Sequence, residues 1–197
     1  MDFIDQTVLN FFTNIRVEWL IFVMLTITYL GNAIMVSILT VLAVVSFYIY
    51  KHYARILPLL ISVGGTTVTV YILKELIDRA RPLVALYPEG TSSFPSYHAA
   101  AAVALYGFFL FTIWKHDKHY LKKSFMTFLF VLIFLIGVSR LYLGEHYFSD
   151  VLAGYVIGLF WLMIGAKLHN LLLKWEFFKN KIRNNFILFI SYPCWDI

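Results

Sequence analysis

The sequence predicts an all-α protein, a polytopic bundle of transmembrane helices. Three observations carry that prediction. The chain has 197 residues, of which 61% are apolar, well above the roughly half that a soluble domain carries. Its mean hydropathy is +0.78. The apolar residues also fall into several long runs separated by short polar stretches. A single cysteine, Cys194, excludes an intramolecular disulfide and argues against a thiolate metal site. The net charge of +5 comes from basic residues scattered between apolar runs. They form no stripe, so nucleic acid is not an expected partner. The opening MDFIDQ has no basic n-region, and no cleavable signal peptide is expected.

At the N-terminus, Phe3, Ile4, Val8, Leu9, Phe11, Phe12 and Ile15 alternate at helical spacing with Asp2, Asp5, Gln6, Asn10 and Asn14. That pattern predicts an amphipathic helix lying on the membrane surface. Trp19 to Leu30 is apolar but only 12 residues long before Gly31-Asn32. It reads as an interfacial or half-inserted helix, because a crossing needs about 20 residues. Five spans come next: Ala33 to Tyr50, Leu57 to Leu73, Ser96 to Trp114, Phe125 to Val138 and Val151 to Leu168. Gly64-Gly65 and the run Ala99 to Ala102 suit close helix contact, as does the Gly154/Gly158 pair, whose expected use is internal packing. Phe186 to Ile190 is a short apolar piece of interfacial character. Three regions result: interfacial helices over 1–31, a transmembrane core over 32–170 and a basic cytoplasmic tail over 171–197.

Orientation is set by lysine and arginine. Lys51, Arg55, Lys115, Lys118, Lys122, Lys123, Lys167, Lys174, Lys179, Lys181 and Arg183 fall on one side. Arg16, Lys74, Arg79, Arg81 and Arg140 fall on the other. The richer side is expected to be cytoplasmic, which places the N-terminus outside. His52, His116, His119 and His169 then lie inside, and His98 and His146 outside.

Three polar clusters converge on that outer side: Lys74 to Pro82 (KELIDRARP), Phe94 to His98 (FPSYH) and Ser139 to Asp150 (SRLYLGEHYFSD). Ionisable residues at membrane depth are costly and point to function. Arg81 and Arg140 can fork onto the oxygens of a phosphate group, with Lys74 adding a point charge. Pro95 suits the first turn of a helix, which sets Ser96, Tyr97 and His98 at an anion-favouring N-terminus. If a helix starts near Phe148, His146 and Asp150 lie four apart on one face. One histidine can then attack phosphorus while Asp150 holds its tautomer, and the other can protonate the leaving oxygen.

Other readings compete with this one. His98, His146 and Asp150 could hold a metal, but the neighbouring arginines and lysine would repel a cation. Ser96 has no G-x-S-x-G elbow around it. Arg140 could pair structurally with Glu145 or Asp150, and Arg79, outside the motif, is expected to be an interfacial snorkelling residue.

Lys74-x6-Arg81-Pro82, Pro95-Ser96-Tyr97-His98 and Ser139-Arg140-x5-His146-x3-Asp150 resemble, in order and spacing, the three signature motifs of the type 2 phosphatidic acid phosphatase superfamily. The resemblance covers roughly residues 30 to 170. It implies His146 as the nucleophile of a phosphohistidine intermediate, Asp150 as its orienting carboxylate and His98 as the general acid. Lys74, Arg81, Ser96, Arg140 and backbone N–H groups near Tyr97 would hold the phosphoryl oxygens. It further implies a cofactor-free, metal-independent lipid phosphatase acting on a phosphomonoester or pyrophosphate at the extracytoplasmic face of a bacterial inner membrane. Phosphatidic acid, phosphatidylglycerol phosphate, undecaprenyl pyrophosphate and lipid A phosphate all fit as substrates. Many relatives have six spans where this sequence shows five. The family also carries Gly where Tyr97 stands. The ring could crowd the pocket, and it would be strained if that position needs positive φ. That gives a second expectation, of a weak or inactive module that binds or transports a lipid phosphate.

Overall fold

The computed structural model describes residues 3–87, 89–116 and 122–191, the stretch from 176 onward by its backbone alone. Among the described residues there is no strand. In chain order the helices are α1 (Phe3–Asn14), α2 (Glu18–Tyr29), α3 (Ala33–Ile49), α4 (Ile56–Ile77), α5 (Tyr97–His116), α6 (Lys122–Tyr142) and α7 (Phe148–Ser191), with a 3-10 turn at Tyr53–Arg55 ahead of α4. α7 runs without a break past position 170, where the basic tail was expected to begin. Cys194 and His119 lie outside the described residues.

Four segments are each long and apolar enough to cross a membrane: Tyr53–Ile77, Tyr97–Lys115, Lys122–Tyr142 and Phe148–Trp175. The expected first span, Ala33 to Tyr50, is different. α3 has 17 residues, about 26 Å of helix against a hydrocarbon core of about 30 Å. α2 and α3 pass the length and hydropathy test together as a pair bent by 43°, the geometry of a broken span or of a re-entrant loop, and the half-inserted helix expected over Trp19 to Leu30 is compatible with the second. The bend has a local cause. A Cβ on Gly31 would stand 2.7 Å from Ile136 and 3.2 Å from the His98 carbonyl oxygen, so only glycine lets the chain pass. The broken backbone is satisfied by side chains: Tyr106 Oη donates to the Leu30 carbonyl at 2.7 Å. The Asn32 side chain caps α3 by accepting from Ile34 N at 2.8 Å.

α5 is the central helix. Its Ala101, Ala102, Ala104, Leu105 and Phe108 are buried against Val36 of α3, Leu59 and Val63 of α4, and Leu129, Leu132 and Ile136 of α6. Small residues let α7 approach it closely. A Cβ on Gly154 would lie 2.5 Å from the Ser96 carbonyl oxygen, and one on Gly158 would collide with that of Ala100. The expected internal use of this pair holds. Gly65 likewise receives the Trp161 ring, whereas Gly64 faces open space.

α1 departs from a simple surface helix. Val8 and Phe12 pack on the buried cluster of Ala99, Leu141 and Val151, and Asp5, assigned to the polar face, is 1% exposed. Arg16 after it donates to the carbonyls of Tyr142 at 3.0 Å and Val84 at 2.9 Å. The two ends of the bundle carry the charge partition read from the sequence. Lys51, His52, Arg55 and His169 line one cavity at the end where α4 begins. Arg16, Arg79, Arg81 and Arg140 gather at the other end.

Candidate active site

Local chain geometry aims the side chains. α4 closes with Asp78 in the left-handed region (φ 43°), its N–H bonded to the Lys74 carbonyl, which turns the chain so that Arg79 and Arg81 reach inward. The first two motifs are laced together: Ser93 N donates to the Arg79 carbonyl at 2.7 Å, and Arg79 N to Ser92 Oγ at 2.9 Å. α6 ends at Gly144 (φ 72°), with Glu145 N donating to the Arg140 carbonyl at 3.0 Å. That turn carries His146 back over the end of α6, and α7 then begins at Phe148 with Asp150 in its first turn.

The histidine–aspartate pair forms as the spacing predicted. His146 is 1% and Asp150 0% exposed. His146 Nδ1 stands 3.6 Å from Asp150 Oδ2, and Nε2, the other nitrogen, faces Arg81 Nη1 at 3.5 Å. Burial pushes the His146 imidazole down to about 4, with Arg140 and Arg81 adding to the effect against the opposing pull of Asp150. The ring is therefore neutral, the state a nucleophile requires. Asp150 is held by four further contacts. Oδ2 accepts from Ser93 Oγ and from Tyr147 N at 2.9 Å, Oδ1 accepts from Arg79 Nη1 at 2.5 Å, and its carbonyl accepts from Ser96 N at 3.0 Å.

Around this pair stand the predicted anion ligands. Arg81 is anchored by donating to the Thr91 carbonyl at 2.8 Å and the Glu145 carbonyl at 3.0 Å. Arg140, 3% exposed, donates to Thr28 Oγ1 of α2 at 3.2 Å. Both share one carboxylate, Glu89, at 3.0 Å from Arg81 and 2.7 Å from Arg140. Of the structural partners foreseen for Arg140, Glu145 is 3.9 Å away, while Asp150 is engaged by Arg79. Lys74 Nζ donates to the Ser92 carbonyl. His98 lies at the start of α5, its ring near His146 and within reach of the charges of Arg140, Arg81 and Lys74. Among the described residues, buried side-chain atoms without a hydrogen-bond partner include Ser96 Oγ, His98 Nδ1, Arg140 Nε, Glu145 Oε2 and His146 Nδ1, all at this one place. Such a concentration marks a site built for a polar ligand and not for stability.

Several expectations change. Pro95 is not in the first turn of α5, which starts at Tyr97. Ser96 instead holds the cap position, its carbonyl accepting from Ala100 N at 3.1 Å, while its hydroxyl caps nothing. Tyr97 has no positive φ, so the strain considered for it is absent. Its ring packs 6.3 Å from that of Tyr71 and 6.4 Å from that of His98, on the side of α4. Arg79 does not snorkel: it bridges Asp150 and Asp5, the latter at 2.7 Å, and stacks 4.3 Å over the Tyr147 ring. Asp5, Ser93, Ser149 and Glu89 are residues at this place that motif reading passed over. A cavity of about 140 Å³ adjoins the clamp, lined by Lys74, Glu89, Thr91, Tyr97 and His98 on one side and by Asn32, Ala33, Val70 and Tyr71 on the other. No group of three or more histidine, cysteine or acidic residues among the described ones is placed to hold a metal ion.

His146 beside Asp150, with Arg81, Arg140, Lys74 and His98 gathered at the same end of a membrane bundle, is a constellation suited to a membrane protein that handles phosphoryl groups. Comparison with known proteins gives the class its family. Residues 55–174 match the PAP2 superfamily, and the chain belongs to it, a family of membrane lipid phosphatases. It is 34% identical over 159 residues to phosphatidylglycerophosphatase B of Bacillus subtilis (strain 168), covering 79% of this chain and 78% of that protein. It superposes with a TM-score of 0.77 and 31% identity on the crystal structure of a transmembrane PAP2-type phosphatidylglycerolphosphate phosphatase from Bacillus subtilis, covering 84% of each chain. The crystal structure of Aquifex aeolicus LpxE gives a TM-score of 0.65 at 27% identity, over 82% of this chain and 94% of that one.

Proposed function

We propose that the protein hydrolyses a lipid phosphomonoester or pyrophosphate through a phosphohistidine at His146, with phosphatidylglycerol phosphate as the leading substrate. The observation that carries this reading is the convergence of His146, Asp150, His98, Arg81, Arg140 and Lys74 from three separate sequence stretches at one end of the bundle. His146 Nε2 attacks phosphorus, the bond to the leaving oxygen breaks, and His98, protonated once the bound phosphoryl charge offsets Arg140, Arg81 and Lys74, gives that oxygen its proton. Neutral His98 then takes a proton from water, whose oxygen attacks the phosphohistidine. The P–N bond breaks, phosphate leaves and both imidazoles return to their starting states. Arg81, Arg140 and Lys74 stabilise the charge on the equatorial oxygens, the largest contribution expected in phosphoryl transfer. The cavity beside Tyr71 and Ala33 supports sideways access from the bilayer, which leaves the lipid tail in the membrane. The distribution of lysine and arginine supports an extracytoplasmic site, and the bacterial relatives support a bacterial inner membrane. Similarity to a phosphatidylglycerophosphatase favours that substrate over the other lipid phosphates.

The test is phosphate release in detergent from phosphatidylglycerol phosphate, phosphatidic acid, undecaprenyl pyrophosphate and lipid A phosphate. His146→Ala abolishes turnover on every lipid if His146 is the nucleophile, and substantial residual turnover refutes it. Activity is expected to survive excess EDTA, since the proposed chemistry needs no metal. The competing reading is a binding or transport module crippled by Tyr97. The ring's position against Tyr71 and its ordinary backbone angle favour a working pocket. Tyr97→Gly distinguishes them: a large gain of activity supports the crippled pocket, and no gain or a loss supports a specialised one.

A further inference from the structure

The two arginines of the clamp are bridged by a carboxylate of the chain itself. Glu89 Oε1 accepts from Arg140 Nη2 at 2.7 Å, and Oε2 accepts from Arg81 Nη2 at 3.0 Å. One oxygen goes to each arginine, as two oxygens of a phosphoryl group would. The Glu89 side chain is 41% exposed, against 8% for Arg81 and 4% for Arg140. It thus comes down from the α4–α5 loop onto buried cations. Glu89 also lines the 140 Å³ cavity beside Lys74 and His98, so a headgroup arriving from that cavity meets Glu89 before it meets the arginines. The other nearby carboxylate, Glu145, is built differently. It is 1% exposed, it accepts from Tyr87 N at 2.7 Å, and it stands 3.6 and 3.9 Å from the two arginines. Of the two, Glu89 is the one with a path to water, and its departure uncovers two buried arginines that an incoming phosphoryl group would satisfy.

Resting on the phosphatase reading, we propose that Glu89 is a specificity-determining residue. It fills the oxyanion positions of the Arg81–Arg140 clamp in the substrate-free enzyme and yields them to a phosphoryl group of nearly two negative charges, but not to a singly charged phosphodiester. A phosphodiester headgroup would replace one negative charge by another of equal size, with only two free oxygens. A phosphomonoester carries about 1.5 to 2 negative charges and three free oxygens, so it engages both arginines and Lys74 together. The selection matters in a bilayer, where phosphodiester lipids surround the cavity at very high local concentration and would otherwise occupy the clamp. Burial tends to raise the Glu89 carboxyl, but Arg140 and Arg81 outweigh it and hold it below the usual carboxylate range. The bridging anion therefore persists at neutral pH.

Glu89→Gln and Glu89→Ala in the full-length protein, purified in detergent micelles, test this in two arms. In the first, inorganic phosphate is titrated calorimetrically. Removing the competing charge should tighten phosphate binding about tenfold, the scale of one charge-assisted hydrogen bond. In the second, phosphatidic acid is the substrate and phosphatidylglycerol the added phosphodiester. The variants should show a fall in KM larger than any change in kcat, and phosphatidylglycerol should become a competitive inhibitor of them while leaving the native protein unaffected. Phosphate binding that is unchanged or weaker in both variants overturns the proposal, since Glu89 would then only hold the arginines in place. Indifference of both variants to phosphatidylglycerol overturns the discrimination by charge. Failure of the phosphatase reading looks different: the native protein would release no phosphate from any lipid, while the first arm would still report on Glu89.

Discussion

Asp5→Ala tests whether the first helix of the chain is an energetic part of the active site. Asp5 is 1% exposed. It accepts from Arg79 Nη2 at 2.7 Å, from Ser149 N at 2.9 Å and from Ser149 Oγ at 2.7 Å. Net contributions of hydrogen bonds to a charged group are about 1.5–3 kcal/mol each and are not additive. Arg79 also keeps its second partner, Asp150, so the loss is placed at about 2–4 kcal/mol in total. For a chain of this size that is a fall in melting temperature of about 4–16 °C. Activity should fall about tenfold, because Arg79, held by Asp150 alone, fixes that carboxylate less firmly against His146. The pH dependence has a definite sign. Burial alone would raise the Asp5 carboxyl, but Arg79 and Ser149 together hold it below 3.8. A depressed folded value contributes stability that is fully present above the unfolded value and is lost as pH falls through the folded one. Thermal unfolding of the native and Asp5→Ala proteins in the same detergent should therefore differ at pH 7 and converge in strong acid. A variant that melts within about 1 °C of the native protein at pH 7, with kcat unchanged, refutes the claim that α1 supports the catalytic carboxylate.

Two further predictions concern titration and packing. The His146 imidazole, pushed by burial down to about 4, should remain neutral through the whole range from pH 7 to pH 5. Histidine NMR of the isotope-labelled protein checks this, and a titration midpoint near 6.5 for His146 would refute it. The linked stability is present above 6.5 and is lost as pH falls from there toward 4. Gly158→Leu should destabilise by about 1–3 kcal/mol or more, since even its Cβ would collide with the Ala100 carbonyl oxygen and meet Val103 at 2.8 Å. Gly64→Ala, with nothing within 4 Å, should be neutral or stabilising by up to about 1 kcal/mol. Thermal unfolding of both variants reads the contrast, and equal effects would refute the assignment of Gly158 to the α5–α7 contact.

The parts of the site that were legible in the sequence are those whose chemistry is local. His146 and Asp150 meet because four residues spanning the start of a helix bring them together, and the charge bias of the loops sorted the two bundle ends without any coordinates. Helix existence was legible for the same reason, since an apolar run of span length has one physical solution in a bilayer. The break at Gly31 was seen as an end because a short apolar run ahead of glycine looks the same whether the chain surfaces or bends. The approach of Ile136 and the His98 carbonyl explains why glycine stands at that break. The contacts that were not legible join distant residues of opposite sign: Asp5 to Arg79 across 74 positions, and Glu89 to Arg140 across 51. Each of those residues, read alone, is an ordinary charge at a membrane edge. Arg79 and Arg81 show the difference most directly. They are the same residue type, two apart, in the same extended stretch beyond α4. One faces the clamp and the other turns to Asp150. A motif records residues whose spacing is local, and a partner such as Arg79, which grips Asp150 from outside it, is visible only once the chain is folded.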